Sequence, residues 1–404
     1  MKLTKIALAC LVATGVTAPQ FAAADDSLEF HGYARWGTSY EQDGNTTIGA
    51  DGQTGNAAGR LGNEGNGGEW MLTKKFEPEN GTKWDLGFML EDWGNLATKQ
   101  VYAGASNVFE SQPNAYIWAG KVFHSRMQQG LNDYYLSIQD NQGAGIKGVD
   151  LGFADLELGF VGDGGNYAVT SKLSGMKLSD DISMDVIANY GFTDDSVDTD
   201  GNAAAAAAQA EWDDATALGA AGSFAQQDLA ATPRPGDYTS TGDAYLVIAK
   251  LSGWGQNFYY RYADNTENSL SWGRMEGQSS NYVSVDGSFN LAERTNLEYL
   301  ASYHDIDAAA DADDRKTYNA IVRPTYAWND IHTTWVEAGY SVVDFDDDQE
   351  NNEAWKVTLS QNIAVGGVAW ARPMLRFYVT AGEEKNAGVT ETPVIAGAMF
   401  EAWW

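Results

Sequence analysis

Alternation of apolar and polar residues is the feature of this sequence that most restricts its fold. In the segment SLEFHGYARWGTSY (27–40), the apolar Phe30 and Trp36 alternate with Tyr33 and Arg35. Successive side chains of a β-strand point to opposite faces, so the segment is predicted to be a strand with one apolar and one polar face. The apolar face is the core in a soluble sandwich and the lipid-facing surface in a membrane barrel.

The same alternation recurs along the chain. The clearest further segments are 84–91, 297–304, 355–360 and 370–379. Any one of them fits a sandwich, but together they show aromatic residues near strand ends on the apolar face and charges on the other, which is typical of outer-membrane barrels. In the closing AGAMFEAWW, Phe400 shares one face with alanines, and Glu401 and Trp403 share the other. We expect this last strand to pair with the first, because a closed barrel leaves no edge.

Residues 1–24 have the features of a secretory signal peptide. They contain two lysines, an apolar stretch too short for a membrane-spanning helix, and small residues at Ala22 and Ala24. We therefore expect cleavage after Ala24 and a single β-barrel domain over residues 25–404. Cleavage at Cys10 as a lipoprotein anchor would leave a very short signal. Cys10 is the only cysteine, so no disulfide stabilises the exported chain.

Composition limits the partners and the size of the barrel. The chain has 25 basic and 56 acidic residues, a net charge of −31, and repulsion excludes nucleic acid. Aromatic residues make up 12% of it and glycines outnumber prolines 44 to 8, which does not fit a disordered chain. At about 10 residues per spanning strand plus a connection of similar length, residues 25–404 allow about 16 to 20 strands. A barrel of this size encloses an aqueous channel.

Three segments break the alternation. The stretch 193–242 contains an alanine run and two prolines, and is predicted to be a long extracellular loop because the opposite rim of such barrels has short turns. The acidic segments 305–314 and 344–350 are predicted to be solvated loops. Calcium binding is a second interpretation of these two, since hard cations take clustered carboxylates. No other cofactor is expected.

Six short motifs resemble the maltoporin family, the sugar-specific porins of Gram-negative outer membranes. They are FHGYAR (30–35), RLGNE (60–64), IWAGK (117–121), DYY (133–135), ARP (371–373) and EAWW (401–404), in this order. The resemblance implies a transmembrane antiparallel β-barrel of 18 strands with an inward-folded constriction loop. It also implies a homotrimer in outer-membrane lipid that passes maltose and maltodextrins by facilitated diffusion.

The resemblance further implies a line of aromatic side chains, the slide, on which successive glucose rings stack. Its residues are Tyr33, Trp93, Phe258, Trp370 and Trp403. Trp93 resembles the aromatic that a neighbouring subunit inserts at the channel mouth, and Trp70 is a candidate for the remaining position. Alternation independently places Tyr33, Trp370 and Trp403 in the lumen. Arg261 has the opposite parity to Phe258, which leaves the facing of Phe258 open.

A polar track beside the slide is implied in the same way. Its residues are Arg35, Arg60, Lys99, Arg126, Asp133 and Tyr135, with Tyr135 narrowing the constriction on the inward loop. Lys99 stands where the family usually has arginine, which keeps the charge and loses bidentate geometry. Gln128 stands where the family usually has aspartate, and this departure bears on the sugar preference rather than on the class of protein.

Three other functions have to be weighed at this point. A non-specific diffusion porin would share the signal peptide, the barrel and the acidity, and would lack the aromatic line. A porin for another oligosaccharide, such as sucrose or β-glucosides, would keep it. A barrel hydrolase would need a nucleophile, a base and an orienting group together, and no nucleophile motif accompanies any of the four histidines, His31, His124, His304 and His332. We therefore expect no enzymatic activity.

Overall fold

The computed structural model describes residues 28–193, 242–310, 313–346, 349–365 and 371–404. The predicted signal peptide, nearly all of the predicted 193–242 loop, and Trp370 lie outside the described residues. Within these ranges, no helix is both long enough and apolar enough to cross a membrane.

Strands account for most of the described chain. They are β1 (Leu28–Tyr40), β2 (Gly67–Phe76), β3 (Lys83–Asp92), β4 (Leu96–Ser106), β5 (Tyr116–Val122), β6 (Met127–Gln129), β7 (Tyr134–Ser137), β8 (Asn141–Asp150), β9 (Asp155–Gly162), β10 (Asn166–Lys177), β11 (Ile182–Thr193), β12 (Ala244–Gly253), β13 (Gln256–Thr266), β14 (Arg274–Ala292), β15 (Thr295–Asp307), β16 (Arg315–Ala327), β17 (His332–Phe345), β18 (Asn352–Ala364), β19 (Met374–Asn386), β20 (Val389–Glu391) and β21 (Val394–Trp403).

Eighteen of these strands form one closed antiparallel barrel, as predicted. Each barrel strand pairs with the next one along the chain, and β21 pairs with β1 in a register that sets Trp403 opposite Tyr33 and Glu401 opposite Arg35. The short β6 and β7 pair with each other in a separate hairpin, and β20 pairs with the end of β19. The closure removes the sheet edge that an open barrel would leave unpaired.

The two faces of each strand differ as the alternation predicts. In β18, Trp355, Val357 and Leu359 are 43%, 41% and 55% exposed on the outer surface, whereas Lys356 and Thr358 are 0% exposed. Side chains that are buried in a barrel point into its lumen, so the polar face of the strand is the inner one. The apolar outer face is the surface that meets lipid.

Two long connections fold into the lumen instead of standing above it. Loop 1 (residues 41–66) joins β1 to β2, and loop 3 (residues 123–140) joins β5 to β8 and carries the β6–β7 hairpin. Ile48 and Leu61 of loop 1 are 0% and 1% exposed, and they pack on buried apolar residues of β17 to β19 and β21. The resemblance to maltoporins implies the inward fold of loop 3, and the inward fold of loop 1 is a further finding.

The opposite rim of the barrel has short turns. Trp254 and Gly255 join β12 to β13, with φ angles of 53° and 78°. Two positive φ angles in a two-residue turn match the twist of antiparallel strands, and glycine adopts the second one without steric cost. Tight turns at this rim and long loops at the other give the orientation that outer-membrane barrels share, with the short turns on the periplasmic side.

Candidate functional site

Tyr33, Arg35, Glu401 and Trp403 lie together on the inner wall where the barrel closes. They are cross-strand neighbours on β1 and β21. The Tyr33 hydroxyl donates a hydrogen bond to Glu401 Oε1 at 2.9 Å. The Trp403 ring is 44% exposed, and the guanidinium carbon of Arg372 lies 4.7 Å from the centre of that ring. The closing strand therefore presents an aromatic surface beside a buried carboxylate.

Loop 1 brings Arg60 to this wall. Its NH2 donates to Glu401 Oε1 at 3.0 Å and to the Tyr33 hydroxyl at 3.3 Å. From the opposite side, loop 3 brings Asp133, whose Oδ2 lies 4.0 Å from Arg60 Nε and 3.8 Å from Arg35 NH1. Arg35 Nε also donates to the carbonyl of Gly65 at 2.8 Å. Four residues predicted from the sequence, Tyr33, Arg35, Arg60 and Asp133, are thus brought together by the wall and both loops.

Two carboxylates that the sequence analysis does not assign hold the cations of this cluster. Glu401 accepts bonds from Arg372 Nε at 2.8 Å and from Arg376 NH2 at 3.3 Å. Glu64 of loop 1 accepts from Arg376 NH1 at 2.5 Å. Glu401 could have been assigned to the lumen from the sequence, because it has the same parity as Trp403. Glu64 has no such signal beyond its place in the RLGNE motif, because loop 1 has no strand periodicity.

The ionisation of the loop 1 residues follows from their neighbours. Burial opposes ionisation of Glu64, but Arg376, Arg60 and Arg35 together outweigh it and lower the pKa of the carboxyl to about 2. Burial likewise opposes the charge on Arg60, and the carboxylates of Asp133, Glu64 and Glu401 raise the pKa of its guanidinium above the ordinary value. Both groups are therefore charged at neutral pH, because opposite charges in contact favour the charged forms.

Trp93 lies against Tyr33 of its own chain. The two ring centres are 6.1 Å apart with an interplanar angle of 30°, and the Arg35 guanidinium carbon is 5.1 Å from the Trp93 ring centre. The resemblance implies a ring inserted from a neighbouring subunit. Within its own chain, Trp93 extends the aromatic surface that begins at Tyr33, and its insertion into a neighbouring subunit stays a prediction.

A second cluster forms around Arg126 of loop 3. Arg126 Nε donates to both carboxylate oxygens of Asp140 at 2.9 Å. Its guanidinium carbon lies 3.3 Å from the ring centre of Phe123 and 5.6 Å from that of Tyr135. Lys99 Nζ is 6.0 Å from the Phe123 ring centre. Phe123, which no sequence motif indicated, thus lies between the predicted Lys99 and Arg126, and Arg126 in turn contacts the predicted Tyr135.

A β-bulge determines where Lys99 points. Met89 pairs with Gln100 and Leu90 pairs with Thr98, so Lys99 is the extra residue on β4. A bulge changes the direction of the side chains on its strand, and here Lys99 Nζ lies 3.1 Å from Glu91 Oε2. Lys99 is thus paired with Glu91 in the barrel wall.

The prediction that Phe258 belongs to the slide is wrong. Phe258 is 46% exposed, whereas its neighbours on the opposite parity, Tyr259 and Arg261, are 4% and 0% exposed. Arg261 NH1 donates to the Tyr134 hydroxyl of loop 3 at 2.6 Å, which fixes the inner face of β13. Phe258 therefore lies on the outer, lipid-facing surface, and the aromatic of this strand on the lumen face is Tyr259.

The candidate Trp70 also faces outward. In β2, Glu69 pairs with Tyr33, so Glu69 is on the lumen face. Trp70 pairs with Gly32 and Leu90 on the other parity. Trp70 is therefore not a slide residue. Trp370 lies outside the described residues, and its place in the slide stays a prediction.

Trp335 is a lumen aromatic that the sequence analysis does not identify. It is 1% exposed, and its ring centre lies 5.1 to 5.7 Å from the guanidinium carbons of Arg376, Arg323 and Arg372. Its parity with Glu337 in β17 was the available signal.

No group of three His, Cys, Asp or Glu side chains that could hold a metal ion is found in the part of the chain that the structure describes. Residues 311–312 and 347–348, in the two acidic segments, lie outside that part. Calcium binding by these segments stays a prediction.

A closed barrel with an apolar outer face, a charged lumen and two loops folded into it is the architecture of an outer-membrane porin. Known proteins agree. The model of the LamB porin family matches residues 28–404. The maltoporins of two Vibrio cholerae serotype O1 strains are each 26% identical to this chain over 438 residues, covering 98% of this chain and 99% and 98% of theirs.

Solved structures of low identity superpose on most of the chain. The carbohydrate-binding β-barrel Wzi of Escherichia coli does so with a TM-score of 0.47 at 11% identity, covering 93% of this chain and 84% of its own. Pseudomonas aeruginosa OccK3 (OpdO) gives 0.49 at 9% identity, covering 93% and 96%.

The chain belongs to the LamB porin family. It is a sugar-specific channel protein of the Gram-negative outer membrane. The resemblance of its six motifs to maltoporins is thereby confirmed.

Proposed function

We propose that this porin passes maltose and maltodextrins by facilitated diffusion along an aromatic slide with a flanking polar track. The observation that supports this most directly is the aromatic surface of Tyr33, Trp93 and Trp403 on one side of the lumen, next to the ion pairs of Arg60 with Glu401 and Asp133. Trp370, predicted from the sequence, would lengthen the same line.

The chemistry of a glucose ring suits this arrangement. A pyranose has an apolar face and a polar edge, so an aromatic side chain covers the face while the hydroxyls stay hydrogen-bonded. Guanidinium groups donate and carboxylates accept, and bonds to charged groups are stronger than neutral ones. Because Arg60 and Glu401 lie beside the Tyr33 ring, a sugar stacked there finds donors and acceptors at its edge. Each station has to bind weakly, so that the sugar leaves again.

The opposite side of the passage is formed by loop 3. Tyr135 and Arg126 lie there next to Asp133. Burial and the nearby carboxylate of Asp133 raise the pKa of Tyr135 despite Arg126, so its hydroxyl is protonated and able to donate at neutral pH. Gln128, in place of the usual aspartate, donates to Asp133 Oδ1 at 2.6 Å. An amide that occupies the acceptor of Asp133 would alter which sugar hydroxyls this side accepts.

Export and assembly are part of the same proposal. We infer that residues 1–24 are removed during export and that the mature chain forms a homotrimer in outer-membrane lipid. Mass spectrometry of protein purified from outer membranes should give a chain that starts at Asp25. Native mass spectrometry in detergent should give three chains, and a monomer would contradict the trimer.

The test of transport is single-channel current in a planar bilayer, with titration of maltotriose, maltohexaose and sucrose. We expect block by maltodextrins that strengthens with length, since a longer chain contacts more stations. Trp403→Ala and Tyr33→Ala should each weaken maltohexaose binding by roughly five- to tenfold, about 1 kcal/mol per stacked ring. The matched control is Phe258→Leu, because Phe258 is an aromatic residue on the outer face. This variant should bind maltohexaose as the unmodified protein does.

Other outcomes would select another function. A conductance that no sugar reduces would overturn the proposal in favour of a non-specific diffusion porin. Stronger block by sucrose or a β-glucoside than by maltohexaose would instead favour a porin for that sugar.

A further inference from the structure

Three side chains of the barrel wall hold the main chain of loop 1 at Leu61. The Leu61 N–H donates to Glu337 Oε1 at 2.6 Å. The Leu61 carbonyl accepts from Lys356 Nζ at 2.7 Å and from Thr358 Oγ1 at 2.8 Å. Both polar groups of this residue's main chain are thus bound by β17 and β18. We call Glu337, Lys356 and Thr358 the Leu61 clamp.

The clamp is built from buried charges. Glu337 and Lys356 are both 0% exposed, and Lys356 Nζ lies 4.0 Å from Glu337 Oε1. Glu337 Oε2 accepts from Arg323 Nε at 2.9 Å and from Arg323 NH2 at 2.5 Å. Removing charges from water is costly and is offset only when they are paired with good geometry. A group of ions this deeply buried therefore holds the loop in one position, because each member fixes the others.

Two glycines of loop 1 make the close approach possible. Gly59 has a φ of +106°, and a Cβ there would lie 2.5 Å from Glu337 Oε1. Gly62 has a φ of +87°, and a Cβ there would lie 2.4 Å from Thr380 Oγ1. Only glycine adopts such φ values readily and leaves room for the neighbouring wall atoms. The chain on both sides of Leu61 is thus adapted to lie directly against the wall.

The residue before Leu61 is Arg60, whose side chain extends from the clamped main chain to the β1–β21 seam, which β19 separates from β18. There its NH2 contacts Glu401 and Tyr33 at 3.0 and 3.3 Å. Leu61 itself packs among Trp335, Ala364 and Met374. With the backbone of Leu61 fixed at both its N–H and its carbonyl, the position from which the Arg60 side chain extends is fixed as well.

We propose that the Leu61 clamp is a positioning device that determines sugar affinity through Arg60. Glu337, Lys356 and Thr358 lie on β17 and β18, away from the β1–β21 seam that carries Tyr33 and Trp403, and they act by holding loop 1 rather than by touching sugar. The sugar part of this inference rests on the function proposed above. The loop part does not, because release of loop 1 also changes the channel in the absence of sugar.

The test uses three clamp variants of the full-length porin. Glu337→Gln and Lys356→Met each remove one charge, and Thr358→Val removes one of two donors to the Leu61 carbonyl with little change in shape. We expect maltohexaose affinity to fall about tenfold in the first two and about threefold in the third, with more current fluctuation in the open channel of all three. Lys250→Met, on the lumen face of β12, is the matched control and should change neither property.

The two charge variants distinguish release of loop 1 from a change in the electrostatic field of the lumen, because they change the charge in opposite directions. Glu337→Gln makes the lumen more positive and Lys356→Met makes it more negative, so a field effect would move ion selectivity in opposite directions. If both variants lose maltohexaose affinity and both show more current fluctuation, the result supports the clamp. Thr358→Val, which changes no charge and should fold, keeps the test open if a charge variant fails to assemble.

A double-mutant cycle distinguishes positioning from general destabilisation. Arg60→Ala should weaken maltohexaose binding, and Arg60→Ala with Thr358→Val should bind no more weakly than Arg60→Ala alone. Additive losses would overturn the proposal. If maltohexaose does not block the unmodified channel, the transport proposal fails while the fluctuation test of the clamp stands. Unchanged fluctuation in all three clamp variants would overturn the clamp whatever the sugar does.

Discussion

Loops 1 and 3 both enter the lumen, but the wall holds them in different ways. Loop 1 is held by its main chain, which Glu337 and Lys356 bind at Leu61. Loop 3 is held largely by its own side chains, with one main-chain bond from Ile138 N to Asn268 O at 3.0 Å. Tyr134 accepts from Arg261 at 2.6 Å, and Gln129 accepts from the Tyr282 hydroxyl at 2.7 Å.

The difference follows from local structure. Loop 3 contains the β6–β7 hairpin, and alternation in β7 sends Tyr134 to the wall and Tyr135 to the passage. Half of the side chains in β7 are therefore available for anchoring. Loop 1 contains no strand, so its glycine-rich backbone makes the contacts at Leu61, and the buried side chain of Glu64 adds an ion pair with Arg376. A loop without regular structure is placed by what its backbone meets.

The two loops also contact each other. Asn56 N donates to Asn132 O at 2.6 Å, and Arg60 N donates to Leu131 O at 3.0 Å. His304 on the wall joins them indirectly, with Nδ1 at 2.8 Å from Thr54 Oγ1 and Nε2 at 3.2 Å from Arg261 NH2. Loosening either loop should therefore weaken the other, and variants in each measure how far the two anchors are independent.

The largest effect is expected for Arg261→Met, which removes the wall anchor of loop 3. It leaves the Tyr134 hydroxyl and Ser280 Oγ, 2.9 Å from Arg261 NH2, without this buried donor. Loss of hydrogen bonds to a buried charge costs about 3 kcal/mol. Urea unfolding in detergent should show the loss of stability, and cleavage by protease should become faster in loop 3 than in loop 1.

The control for this variant is Tyr260→Phe, the adjacent residue on the outer face. It removes one exposed hydrogen bond, from the Tyr260 hydroxyl to Asn281 at 2.9 Å, and should cost less than about 1 kcal/mol. Equal acceleration of cleavage in both loops with Arg261→Met would show that the two anchors form a single unit.

A smaller effect is expected for a matched pair of glycine substitutions in loop 1. Gly59→Ala and Gly44→Ala both place alanine at a positive φ, +106° and +93°, at a cost of about 1 to 2 kcal/mol. Only Gly59→Ala also crowds Glu337, since no atom lies within 4 Å of a Cβ at Gly44. Maltohexaose block should weaken severalfold with Gly59→Ala and remain unchanged with Gly44→Ala. Equal weakening by both would mean that contact with Glu337 does not determine sugar affinity.

The strand faces were predictable because they depend only on neighbours in sequence. Alternation places Phe30, Trp355 and Phe400 outside and Arg35, Lys356 and Glu401 inside, and the structure agrees. Phe258 shows the limit of this reasoning, because motif matching and the parity of Arg261 gave opposite answers. Parity was correct, since a charged side chain on the lipid face is costly.

The composition of the site was less predictable, because its contacts join distant parts of the chain. Arg60 and Glu401 are 341 positions apart, and they meet only because the barrel closes and loop 1 folds inward. Sequence motifs correctly indicated that Tyr33, Arg35, Arg60 and Asp133 belong to the candidate site. The roles of Glu64, Trp335 and Glu337 depend on the path of loop 1, for which the sequence has no periodic signal.

The smallest effect is expected for the response of loop 1 to acid, which is the last test of the difference between loops 1 and 3. The pKa of Glu64 is lowered to about 2 from the ordinary 4.5, with burial opposed by Arg376, Arg60 and Arg35. A group with a lowered pKa stabilises the folded arrangement fully above its ordinary pKa and loses that contribution as the pH falls through the lowered value. The Tyr134 anchor of loop 3 has no such response, since burial raises the pKa of its hydroxyl, which stays protonated throughout.

Comparison with Glu64→Gln isolates this group from other carboxylates. The unmodified channel should fluctuate less than the variant at pH 7, and the difference should stay constant down to about pH 4.5, the ordinary pKa of the carboxyl. Between about pH 4 and pH 2 the difference should shrink, because a protonated Glu64 and the neutral amide of the variant bind Arg376 equally weakly. A difference that already shrinks between about pH 7 and pH 5 would show that the arginines do not hold Glu64 ionised.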